Sequence, residues 1–369
     1  MELARGRHSW FNRAVGADDG GVPRGTFTRE DPVSQEVGFK EGSSRIWRRC
    51  ITIPAITLIW FVALVTLPVT ASIALASDFV RDPMKMPWTR VAVAFSNFLS
   101  LHVFSIIVTT IVWLGNLLVP AWRGETNIEA NSWLQRTWGK YQLNAVIKVF
   151  GMKTQIEGRE CLEGGGPLIY LVRHVSLLDT IVPITYAPPR SRVFRYVLKA
   201  ELLNDPLLDI VGQRLRNHFI RRGSDDPDAE IRAVLDLTQG MQPHEGYVMY
   251  PEGTRFSEKR RAKILKSLER RAPEQLPYAK SLKATLPPTQ RGPMALLEKV
   301  QDMDVVIVSH RGLEGAAKIP SFLAGELVGK TLAVRFERFA AADIPRDPEG
   351  IRRWLEERWL DVDAFAAGG

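Results

Sequence analysis

Residues 167–179 read PLIYLVRHVSLLD, a short apolar run that breaks off at Arg173 and is followed within six residues by a histidine, a serine and an aspartate. A run of that length, from Pro167 to Val172, suits a buried strand rather than a helix. Four similar runs follow: Val193 to Leu198, Gly246 to Tyr250, Asp304 to Ser309 and Thr331 to Phe336. Between them, Glu201 to Leu215, Asp228 to Gln239, Ser257 to Arg271 and Gly292 to Gln301 carry helical patterns, and Pro345 to Leu360 closes the chain as one more helix. Strands alternating with helices predict an α/β fold, with a mainly parallel sheet flanked by helices.

Outward from this core, the sequence changes character towards its start. No Asp, Glu, Lys or Arg occurs between Ile51 and Ser77, and none between Val91 and Trp122. Each stretch exceeds the roughly 20 apolar residues that cross a bilayer. Asn97, Ser100, His102 and Asn116 dilute the second. Core helices of soluble domains seldom go so long without a charge, so the two predict an N-terminal two-helix membrane hairpin over residues 47–122. Residues 1–46, rich in Gly, Arg and Asp and lacking a signal-peptide core, read as a disordered polar tail, and residues 123–369 as the α/β domain. Arg45, Arg48 and Arg49 flank the first span and Arg123 follows the second, against Asp78, Arg81, Asp82, Lys85 and Arg90 in the connector. Basic flanks predict both ends in the cytoplasm, hence an inner or plasma membrane protein with its α/β domain on the cytoplasmic face. From Asn127 to Phe150, Trp133, Trp138, Tyr141, Ala145 and Val149 recur at helical spacing on a basic helix, which either lies in the membrane interface or packs on the domain.

The formal net charge of +8 favours an anionic partner without saying which. Basic residues interspersed with acids, and a hairpin that nucleic-acid binding has no use for, exclude DNA and RNA as partners. Two cysteines, Cys50 and Cys161, make neither a disulfide framework nor a metal cluster.

His174 falls at the end of the first strand. Asp179 falls in the first turn of the helix that Ser176 would cap, and can reach back to the imidazole. A carboxylate that takes one ring N–H fixes the tautomer and leaves the other nitrogen to draw a proton from an alcohol. That is the His and Asp part of a triad, with a substrate hydroxyl in place of an enzyme serine. Ser176 with Asp179 three residues later equally satisfies a plain capping pattern. Two further groups weigh on the choice: Phe219-Ile220-Arg221-Arg222, and Pro251-Glu252-Gly253-Thr254-Arg255 directly after a strand. The planar arginine fork suits phosphate, and a neighbouring glycine lets backbone N–H groups approach an anion. Physics alone does not separate Arg221 from Arg222.

His174 to Asp179, Phe219 to Arg222, Pro251 to Arg255 and Leu286-Pro287 resemble, in order, the four blocks of the glycerolipid acyltransferases that include 1-acylglycerol-3-phosphate acyltransferase. Phe256 to Arg261 with Leu286-Pro287-Pro288-Thr289 is most similar to the lysocardiolipin acyltransferase-like branch, although that branch tends to have a basic residue straight after the first proline. The resemblance implies the glycerolipid acyltransferase fold, His174 as base and Asp179 as its partner. It implies that Arg222, Glu252, Gly253, Thr254 and Arg255 hold the acceptor's phosphate and glycerol, with Pro287 on the acyl-donor side. It further implies transfer from acyl-CoA or acyl carrier protein to the sn-2 hydroxyl of 1-acylglycerol-3-phosphate, with membrane lipid as partner and no cofactor or metal. Another lysophospholipid, such as lysocardiolipin, is the alternative acceptor. A non-catalytic membrane lipid-binding protein is the alternative outside enzymes.

Overall fold

The structure is a computed structural model that describes residues 32–119, 125–187, 193–220 and 227–368. Contacts divide the chain after Trp47, and everything beyond α1's first residues belongs to the unit Arg48–Gly369. In chain order the elements are α1 (Pro32–Arg81), α2 (Pro87–Leu118), α3 (Glu125–Val149), β1 (Lys153–Glu157), β2 (Leu168–Val172), α4 (Val182–Tyr186), β3 (Val193–Lys199), α5 (Pro206–Val211) and β4 (His218–Ile220). They continue with α6 (Pro227–Thr238), β5 (Glu245–Met249), α7 (Glu258–Arg271), α8 (Leu276–Ser281), α9 (Gly292–Lys299), β6 (Asp304–Arg311), α10 (Ile319–Leu323), β7 (Thr331–Phe339) and α11 (Pro348–Ala367).

Among the described residues, seven strands form one sheet in the order β1-β7-β6-β2-β5-β3-β4. Every pairing is parallel except β6 with β7, which is antiparallel. β2 lies centrally and every one of its residues is buried. Its alternation divides the core: Leu168, Tyr170 and Val172 face one cluster with Leu143 and Phe150, while Ile169 and Leu171 face another with Leu296, Leu355 and Trp359. Both faces are therefore covered by helices, as a parallel sheet requires.

Several elements depart from the sequence reading. The helix expected over Glu201 to Leu215 is broken: a 3-10 turn covers Ala200–Asn204, and α5 starts afresh at Pro206. Proline lacks the N–H that a continuing helix needs and fits a first helical position. Asp205 caps that start by accepting from the N–H groups of Leu207 and Leu208. The last helix begins later than Pro345, at Pro348 behind the Asp347 cap, and runs on to Ala367. β1 and β4 escaped the sequence reading altogether. On α3, Leu134 and Leu143 are buried and Trp138 packs against the core, so the helix is packed on the domain; Trp133 and Tyr141 stay exposed on its outer side.

Two helices, Ser44–Arg81 within α1 and α2 itself, are long and apolar enough to cross a membrane. The most apolar window of the first is 0% buried, which a soluble core helix would not tolerate. Asp78, buried at the end of α1, accepts from the N–H groups of Trp88 at 3.1 Å and Thr89 at 2.7 Å and so caps α2. The polar tail expected for residues 1–46 lies outside the described residues up to residue 31, and α1 takes in its remainder.

Candidate active site

β2 ends in the middle of the sheet, where a chain that has just lost its ladder must find new partners for its backbone. Arg173 is buried, and its guanidinium answers part of that need by donating to the His310 carbonyl at 2.7 Å, to Glu314 at 2.7 Å and to the Ala284 carbonyl at 2.9 Å. His174 follows. Its N–H donates to Glu252 Oε1 at 2.9 Å, and its carbonyl accepts from the Phe256 N–H at 2.7 Å. The loop after β5 therefore grips the backbone of His174 from both sides and brings Thr254 and Arg255 next to it.

The His174 ring turns towards Asp179, with Nδ1 3.1 Å from Oδ1. Asp179 is fully buried, and its Oδ2 accepts from the N–H groups of Val175 at 2.6 Å and Ser176 at 2.8 Å. One carboxylate thus holds the backbone that leads into the 3-10 turn Leu178–Ile181 and orients the imidazole, while the Ser176 hydroxyl accepts from the Leu178 N–H at 3.2 Å, so the local backbone bonding and the catalytic reading are compatible. With Nδ1–H donated to Asp179, Nε2 holds the free lone pair. It has no hydrogen-bond partner among the described residues, and the side chain keeps 17% exposure. The ring of Tyr250 stacks on it at 4.3 Å between centroids. This arrangement can remove a proton from an alcohol brought to Nε2.

Glu252 sits otherwise than the resemblance implied. It is 2% exposed, and its two oxygens accept from the N–H groups of His174 and Leu286, each at 2.9 Å. Both oxygens face inward, so it ties the His174 loop to the Leu286-Pro287 loop and offers none to an acceptor. Burial pushes its carboxyl up to about 8, against the pull of the two N–H bonds and Arg173. Gly253 turns the chain at φ +63°, and a Cβ there would lie 3.0 Å from Thr289 Cγ2, so glycine is required. Thr289 in turn donates its N–H to the Pro251 carbonyl at 2.8 Å. Arg255 is half-buried beside this turn, its carbonyl held by Arg260 at 2.9 Å. Pro287, half-buried, lines a small cleft with Leu268, Tyr278, Met294 and Leu355. Arg222, like Arg221, lies outside the described residues.

Two residues that sequence reasoning passed over complete the surroundings. Asp363 on α11 accepts from the N–H groups of Lys283, Ala284 and Thr285 and from the Thr285 hydroxyl, and so fixes the approach to Leu286. His310 on β6, fully buried, donates from Nε2 to the Arg173 carbonyl at 3.0 Å and lies 3.8 Å from Asp179 Oδ2. Burial holds its imidazole below the usual histidine range, with Asp179 pulling the other way.

Comparison with known proteins bears on the same residues. Residues 153–309 match the family model described as Acyltransferase. Over 205 residues the chain is 25% identical to 1-acyl-sn-glycerol-3-phosphate acyltransferase epsilon of Mus musculus, a match covering 52% of this chain and 55% of that protein. The chain thus spans about half the length of that relative. Among solved structures it is similar to the 1-acyl-sn-glycerophosphate (LPA) acyltransferase PlsC from Thermotoga maritima, at 15% identity and a TM-score of 0.45, over 73% of this chain and 96% of that one. The His174–Asp179 pair and the Glu252–Arg255 turn lie inside the matched span, so residues 153–309 carry an acyltransferase domain, one similar to that of the glycerolipid acyltransferases.

Proposed function

We propose that the protein transfers a fatty acyl group from acyl-CoA, or from acyl carrier protein, to the sn-2 hydroxyl of 1-acylglycerol-3-phosphate, forming phosphatidate. The observation that carries this reading is the buried Asp179 holding His174 Nδ1 at 3.1 Å while Nε2 stays open. Nε2 takes the hydroxyl proton as the oxygen attacks the thioester carbonyl. The tetrahedral intermediate then expels the thiolate, which leaves as thiol with the proton that His174 carries. Asp179 stabilises the imidazolium meanwhile. Arg255 and Arg222 hold the acceptor phosphate, since a guanidinium fork meets two phosphate oxygens at once. Holding both substrates in line supplies much of the acceleration.

The membrane seating follows from α2. Its buried residues run from Pro87 through Leu99 and Val103 to Thr109, a length of roughly 33 Å at 1.5 Å per residue. Along it, Arg90 donates to the Val149 carbonyl, His102 meets Asp205 at 3.0 Å, and Arg214 donates to Thr109 Oγ1 at 2.6 Å. At the start of the apolar part of α1, Arg48 and Arg49 pair with the buried Asp209 at 2.7 and 2.8 Å. An α2 that crossed the bilayer would draw these charges into hydrocarbon, at high cost. These contacts support a hairpin that enters one leaflet, and the basic flanks of its helices support the cytoplasmic face, where soluble acyl donors are met. Cysteine placed at Met84, in the connector, tests this. Labelling only from the opposite face contradicts it.

The function is tested by offering purified protein labelled palmitoyl-CoA, and in parallel labelled palmitoyl-acyl carrier protein, with a panel of lysophospholipids in mixed micelles. Phosphatidate acylated at sn-2 is the expected product. Failure to acylate any lysophospholipid with either donor type would refute the reading and favour a lipid-binding protein.

A further inference from the structure

The peptide that joins Arg173 to His174 is held at both poles by side chains from two different elements. Its carbonyl accepts from His310 Nε2 on β6 at 3.0 Å, and its N–H donates to Glu252 Oε1 at 2.9 Å. It is the peptide at which β2 leaves the sheet: the Arg173 N–H still reaches the Val308 carbonyl at 3.2 Å, the last backbone bond of that ladder. From there the His310 side chain continues what the strand no longer supplies, and the Arg173 guanidinium returns a bond to the His310 carbonyl. Fixing this plane fixes the Cα of His174 and, with the Asp179 bond, the direction of its ring.

The ring of His310 can do this only in one form. Its Nδ1 is buried and has no partner among the described residues, so a proton there would be an orphaned donor, whereas a bare lone pair costs less. Asp179, Arg173 and Glu314 are the charged groups around it. Nε2 lies 3.8 Å from Asp179 Oδ2, too far to take that oxygen, which the Val175 and Ser176 N–H groups already occupy, so its proton goes to the Arg173 carbonyl.

We infer that His310 is a positioning residue for the base: a neutral imidazole whose Nε2–H holds the Arg173–His174 peptide and thereby aims His174. This rests on His174 being the base. A misdirected base slows the chemical step without weakening substrate binding, by on the order of 10- to 100-fold for a shift near 1 Å.

The test compares three substitutions in acyl transfer to lysophosphatidate, each checked for folding by thermal unfolding in detergent. His310→Leu removes the donor at similar volume. His310→Gln keeps an amide N–H at similar reach, and His310→Asn keeps the amide but withdraws it. The expected result is a kcat reduced about 10-fold or more for His310→Leu and His310→Asn, KM within about twofold, and most of the rate restored by His310→Gln. In a His174→Ala background, His310→Leu should cause no further loss. A folded His310→Leu with wild-type kcat overturns the inference. If His310→Leu fails to fold, Gln performing no better than Asn overturns it. Full activity in His174→Ala alone would instead sink the reading of His174 as base, which keeps the two failures apart.

Discussion

Removing the Glu252 side chain separates two roles that the residue could play. In Glu252→Ala the N–H groups of His174 and Leu286, each now 2.9 Å from a carboxylate oxygen, lose their acceptors in a site where the residue itself is 2% exposed. A buried donor left unsatisfied costs about 1–3 kcal/mol, so two cost about 2–6 kcal/mol. One of the two donors belongs to the base, so kcat should fall together with stability. The acceptor KM should hardly move, because neither oxygen points outward. The assays are chemical unfolding in detergent and initial rates against lysophosphatidate concentration. A loss of stability under about 1 kcal/mol, or a rise in acceptor KM with kcat unchanged, would refute the view of Glu252 as a tie and return it to the acceptor site.

Glu252 also sets a pH dependence. Its folded pKa of about 8 is raised above the ordinary 4.5, so the stability it confers is complete below about pH 4.5 and lost as pH rises through about 8. Wild type should therefore lose a few kcal/mol relative to Glu252→Gln across that window, and a constant difference between the two would contradict it. Asp363→Ala should destabilise by about 2–6 kcal/mol through the orphaned N–H groups of Ala284 and Thr285, and Asp363→Asn, which keeps one oxygen, by less than about 1.5 kcal/mol; equal losses would mean that the charge matters more than the bonds. Arg255→Lys keeps the charge but not the fork and should raise the acceptor KM about tenfold at similar kcat. An unchanged KM would remove Arg255 from the phosphate site.

The parts of the site that a local pattern encodes were legible. His174 and Asp179 lie five residues apart, and the strand, the turn and the capping bonds that join them all fall within residues 168–181. The Pro251 to Arg255 group was similarly visible from its position directly after an apolar run. What was not legible depends on distance along the chain. Asp363 meets Lys283 to Thr285 across 78 to 80 residues, and His310 meets Arg173 across 137. Nothing in either neighbourhood announces those bonds: Asp363 lies within an ordinary amphipathic helix and His310 at the end of an apolar strand. Glu252 was legible as a site residue but not as one facing inward, since motif order carries no information on burial. The hairpin shows the same limit. Hydropathy marks both helices, yet the contacts of His102 and Thr109 with Asp205 and Arg214, which bear on how α2 meets the bilayer, lie about a hundred residues away. The antiparallel β7 and the break before Pro206 are smaller cases, the second readable from proline chemistry alone.

The most direct test of His174 as the general base is the rate of acyl transfer from palmitoyl-CoA to lysophosphatidate by purified wild type, His174→Ala and Asp179→Asn. Wild type should make phosphatidate. His174→Ala should lose at least about 100-fold in kcat with its fold intact, and Asp179→Asn, which spoils the tautomer, should lose nearly as much. Wild-type rates in a folded His174→Ala would contradict the account at its centre.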